Sequence, residues 1–152
     1  MKTEFSLPEE TGIRYERHFA APVQRLWDAY TDPEVVRSWM LGPGEGTTFA
    51  VCEMDVRPGG SFRWVWEHPG GRLEITGDVL EVEAPHRLVT TEAMSDVDMP
   101  PSRHEITFTA DGEGTILTGT ITYASQEIRD AAYASGMDRG MEASFERLDG
   151  VA

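Results

Sequence analysis

Absences narrow this sequence before any motif does. A single cysteine, Cys52, rules out an internal disulfide and suits a reducing compartment. No apolar run approaches the ~18 residues of a membrane-spanning helix, so no membrane partner is expected. The N-terminal stretch MKTEFSLPEETG lacks the apolar core of a signal peptide, and a cytoplasmic address is expected. Positive charge is scarce, with 13 Lys and Arg against 27 Asp and Glu and a formal net charge of −14. That field repels phosphate backbones and anionic lipid. Arg14, Arg17, Arg25 and Arg37 are interleaved with acids rather than clustered, so nucleic acid is not an expected partner either. None of the four histidines, His18, His68, His86 and His104, stands in a zinc spacing. HExxH, paired-cysteine and GxSxG patterns are missing. GPGEG at 42–46 has no following Lys-Ser/Thr and so is no phosphate loop. Asp96 and Asp98 offer too few oxygens for calcium. No metal, cofactor or catalytic residue is therefore assigned from sequence.

What is present suits one folded domain over residues 1–152, with its core at about 13–148. A chain of this length buries roughly 70% of the surface its unfolded form exposes. Residues 13–20, IRYERHFA, alternate Ile13, Tyr15, Arg17 and Phe19 against polar neighbours, a half-exposed strand with one polar intruder. Pro22 then opens a helix with Val23, Leu26, Trp27 and Tyr30 on one stripe. Asp32 caps and Pro33 begins a second short helix carrying Val35, Val36 and Trp39. Strand patterns follow at about 47–56, 61–68, 72–83, 87–94, 103–110 and 115–123, joined by short turns that favour antiparallel hairpins. On the second of these, Phe62, Trp64 and Trp66 share one face, and Phe108, in phase with His104 and Ile106, faces the same way. The last helix is expected from roughly Ser125 to Leu148 on an apolar stripe that includes Met137 and Met141. Gly136 and Gly140 sit inside it, and close approach, room for a ligand, or a kink all account for them. The predicted fold is α+β: a curved antiparallel sheet of about seven strands wrapped around a long C-terminal helix, with two short helices after the first strand.

This order of elements resembles the helix-grip, START-like superfamily, which includes the birch-pollen allergen fold and polyketide cyclases. Within it the chain is similar to the family related to the activator of the Hsp90 ATPase. The resemblance is carried by Arg17-His18-Phe19-Ala20-Ala21-Pro22 with Leu26-Trp27, then Tyr30-Thr31-Asp32-Pro33 and Trp39. Asp55-Val56-Arg57-Pro58-Gly59-Gly60 before Phe62 continues it, with Gly77, Glu81-Val82, Pro85-His86-Arg87-Leu88, Gly136-Met137 and Gly140-Met141. The match spans about residues 13–148. It implies a hollow between sheet and last helix, but no shared catalytic set. It reaches no counterpart of the additional N-terminal domain of the full co-chaperone, so Hsp90 activation is not an expectation here.

Two readings of the aromatic stripe remain: a plain core, since burying one such ring contributes about 2–3 kcal/mol, or the wall of a ligand cavity. On the second reading the candidate ligand-binding residues are Trp39, Phe62, Trp64, Trp66, His104, Phe108, Met137 and Met141. Trp39 is expected near the mouth, and the two methionines repack around variable guests. The guest is expected to be an apolar or aromatic small molecule. A protein partner of co-chaperone type is one alternative. A cyclase or hydrolase using His104 as acid-base group is another. Monomer and homodimer both fit.

Overall fold

The computed structural model of the chain describes residues 2–40, 46–95 and 97–152. Most of the GPGEG segment, and Asp96, lie outside the described residues, whereas Asp98 sits on an exposed irregular stretch.

Eight strands form one antiparallel sheet: β1 (Glu4–Ser6), β2 (Gly12–Phe19), β3 (Thr48–Met54), β4 (Ser61–His68), β5 (Gly71–Glu83), β6 (Arg87–Met94), β7 (Ser102–Asp111) and β8 (Gly114–Thr122). Their order across the sheet is β1-β2-β8-β7-β6-β5-β4-β3. Consecutive strands from β3 to β8 are neighbours, as short turns require. The count exceeds the expected seven by β1, whose three residues pair Phe5 with Tyr15 at the sheet edge and are too few to show a period.

Helices α1 (Val23–Thr31) and α2 (Pro33–Trp39) follow β2. Pro22 stands one residue earlier than expected, as the extended residue before α1. Asp32 caps α2 by accepting a hydrogen bond from the Glu34 backbone at 3.0 Å, with Pro33 first inside. The C-terminal segment is not one helix but two, α3 (Gln126–Ala134) and α4 (Met137–Val151). Ser125 caps α3 through the Ile128 N–H. The break falls at Gly136, whose φ of 90° places it in the left-handed region that ends helices and that side chains with a Cβ resist. Of the readings the two glycines allowed, the kink holds for Gly136. Among the described residues no helix is long and apolar enough to cross a membrane.

Two buried arginines pin these helices. The polar intruder of β2, Arg17, is fully buried and donates two hydrogen bonds, at 2.8 and 2.9 Å, to the Asp149 carboxylate near the end of α4. Glu142 lies 3.6 Å from its Nε, and its guanidinium covers the Phe19 ring at 4.7 Å. Burial opposes its charge, but the Asp149 hydrogen bond and the nearby carboxylates outweigh that, so Arg17 holds its proton more tightly than a free guanidinium. Arg129 on α3 donates to the Gly12 carbonyl at 2.9 Å. Sheet and helices thus enclose one large core around Phe19, Leu26, Phe108, Leu117, Phe145 and Leu148. A second, smaller core gathers Val36, Cys52, Phe62, Trp64 and Trp66. Cys52 is buried there, and that burial pushes its thiol pKa up, which suits a small apolar side chain rather than a nucleophile.

Candidate functional site

Between the two cores the sheet and the α3–α4 pair leave a hollow of about 770 Å³, partly open to solvent. Strand register sets its walls. Opposite Phe62, Trp64 and Trp66 on β4 stand Gly77, Ile75 and Leu73 of β5, and on the other side Met54, Cys52 and Phe49 of β3. Because side chains alternate, one face of β4 delivers all three rings inward. The rings pack tilted against their neighbours, with Phe62 to Trp64 at 4.4 Å and Phe49 to Trp66 at 4.6 Å between centroids. The stripe completes the smaller core and also lines the hollow. The buried indole N–H groups of Trp64 and Trp66 meet no acceptor among the described residues.

Seven of the eight expected site residues line this hollow: Trp39, Phe62, Trp64, Trp66, His104, Met137 and Met141. Trp39 is deeply buried rather than at the rim, with its indole donating to the Ala29 carbonyl at 2.8 Å. Phe108 is not brought to the hollow. It lies in the larger core, edge-on to Trp27 at 5.6 Å and Tyr30 at 5.3 Å, because α1 covers the sheet at that end. Met94 and Met99, both exposed, stand among the lining residues instead. Gly140 also borders the hollow, with open space where a Cβ would stand.

A polar end interrupts the apolar lining. Tyr15 Oη and His104 Nε2 are 2.6 Å apart, and His104 Nδ1 faces a Glu92 carboxylate oxygen at 3.9 Å. Tyr30 and Tyr123 join them, the latter donating to the Met137 sulfur. Burial, with the Tyr30 and Glu92 charges behind it, pushes the Tyr15 phenol well above its usual range. Burial and Glu92 do the same to Tyr30, and raise Tyr123 to about 12. Tyr15 fits because it lies over Gly119 of β8, where a Cβ would come within 2.0 Å of its ring. Sequence reasoning named His104 but missed Tyr15, Tyr30, Tyr123 and Glu92 as site residues. For Glu92 the signal was there: it shares the phase of Leu88 and Thr90, so an apolar-facing strand carries a carboxylate inward.

A second concavity, of about 590 Å³, opens beside β4 and β5 against Glu53, Asp55, Arg63 and Asp78. Its lining also includes Met54, Phe62, Ala93 and Pro101, and of its charged groups Arg63 is paired with Glu53 and Glu74 and Asp55 with Arg57.

Known proteins fit this geometry. A crystal structure of a protein from Rhodobacter sphaeroides is 31% identical, with 98% of this chain and 96% of that chain covered and a TM-score of 0.92. One from Mycobacterium smegmatis is 27% identical over 99% and 94% of the two chains, with a TM-score of 0.85. CalU16 from Micromonospora echinospora, at 24% identity, shares the fold with a TM-score of 0.66 over 99% and 96%. No match is found among curated protein sequences. The family model described as "Activator of Hsp90 ATPase homolog 1-like protein" matches residues 20–152, and the chain belongs to that family.

Proposed function

We propose that this protein is a single binding domain for a small apolar or aromatic molecule, held between the sheet and α3–α4. The observation that carries this reading is the hollow itself: about 770 Å³, walled by tryptophans, Phe62 and methionines. That volume lies inside the roughly 300–1,000 Å³ range of small-molecule sites. The reading places the protein in the cytoplasm, in keeping with its lone buried thiol.

Native mass spectrometry of gently purified protein, joined to titration with the neutral dye Nile red, tests it. A co-purifying mass or saturable dye binding that Met141→Trp abolishes is the expected result. A protein that carries no guest and takes up no dye refutes it.

A second reading, an acid-base enzyme of cyclase or hydrolase type, is favoured by one observation, the 2.6 Å contact between Tyr15 and His104 at the polar end. His104→Gln, with fold intact and turnover lost, supports it; unchanged turnover removes His104 from the chemistry.

A further inference from the structure

The charge of the hollow is one-sided. Among the described residues that line it, Glu92 is the one acidic side chain, and no lysine or arginine stands beside it. Its carboxylate is 27% exposed and lies among Tyr15, Tyr30 and Tyr123, close enough that its charge raises all three phenols. No described side chain comes within hydrogen-bond distance of it. His104 Nδ1 stands at 3.9 Å, too far for a hydrogen bond. His104 is engaged on its other side, where Nε2 stands 2.6 Å from the Tyr15 hydroxyl. The acceptor oxygens of Glu92 are thus left for whatever fills the hollow.

We propose that the guest is a lipophilic amine, with its protonated head on Glu92 and its apolar or aromatic body along Trp64, Trp66 and Met141. This inference rests on the binding reading above and adds the chemistry of the head group. An ammonium brings the donors that Glu92 lacks and meets the faces of neighbouring aromatic rings, which attract cations. A carboxylate-headed guest meets Glu92 with no lining lysine or arginine to offset it, and like charges brought together in a partly desolvated site oppose binding. The net charge of −14 draws cations and turns away anions before contact.

The test uses the full chain and three probes with the same tail: decylamine, decanol and decanoate, titrated near neutral pH in physiological salt and followed by tryptophan fluorescence. Salt suppresses adsorption on the acidic surface. Decylamine is expected to bind on the order of tenfold more tightly than decanol, the value of one charged hydrogen bond, with decanoate weakest. Glu92→Gln, which removes one charge among many, is expected to erase the preference for amine over alcohol. The proposal is overturned if decanol or decanoate equals decylamine in the wild type, or if the variant keeps the preference. Binding of decanol without an amine preference leaves the hollow standing and removes only the amine. Failure of all three probes removes both. The wild-type series decides the sign by itself, so the test survives a variant that does not fold, and Glu92→Met provides a second variant.

Discussion

Gly136 and Gly140 lie one turn apart in sequence, and alanine at each is expected to change stability in opposite directions. Gly136 has a φ of 90°, where an added Cβ is strained and would stand 2.9 Å from the Arg139 guanidinium. The left-handed conformation costs a residue with a Cβ about 1–2 kcal/mol. The Arg139 contact adds little, because that end of the side chain can swing away. Gly140 lies inside α4 with nothing within 4 Å of an added Cβ, so Gly140→Ala recovers the helix propensity that glycine gives up, about 1 kcal/mol. For a chain of this size 1 kcal/mol moves Tm by roughly 2–4 °C. Thermal unfolding followed by circular dichroism should therefore show Gly140→Ala a few degrees above the wild type and Gly136→Ala a few degrees below. A single unbroken C-terminal helix makes a different forecast, with both variants rising. Gly136→Ala matching or exceeding Gly140→Ala in Tm refutes the break between α3 and α4 as described.

Arg17→Met is expected to lower stability by about 2 kcal/mol, less than a fully buried pair because half-exposed Asp149 regains water when its partner leaves; denaturant unfolding measures this, and Asp149→Asn should cost less. Gly119→Ala forces a Cβ against the Tyr15 ring and is expected to break the Tyr15–His104 contact at a cost of about 1–3 kcal/mol; a shifted His104 imidazole resonance together with reduced stability checks it. Alkaline titration followed by tyrosinate absorbance should show Tyr15, Tyr30 and Tyr123 still protonated at about pH 10, where a free phenol titrates. Their folded pKa values lie above the unfolded one, so the native state binds more protons and the stability they contribute is full below about pH 10 and declines as pH rises beyond it.

Much of the fold was legible because strands β3 to β8 alternate and are separated by turns too short for anything but antiparallel neighbours. The two short helices were legible through Asp32-Pro33 and the stripe of Leu26, Trp27 and Tyr30. Local pattern stopped where long-range geometry took over. Arg17 stood out as polar on an apolar face, but its partner Asp149 is 132 residues away and no spacing links them. Phe108 has the phase of His104, yet α1 reaches one and not the other, so phase alone assigned both to the hollow. The helix break was masked by an apolar stripe that continues through it, since Ile128, Met137 and Met141 all reach the same hollow from two separate helices. Glu92, one acid among 27, is marked in the sequence only by sharing the phase of Leu88 and Thr90.

The hollow under α3–α4 is most directly tested by isotope-filtered NMR on protein with labelled methionine methyls and saturating decanol. Nuclear Overhauser contacts are expected from the alkyl chain to Met137 and Met141 and to the ring protons of Trp64 and Trp66. Contacts confined to exposed apolar residues away from the hollow, such as Leu7 and Leu80, would contradict it.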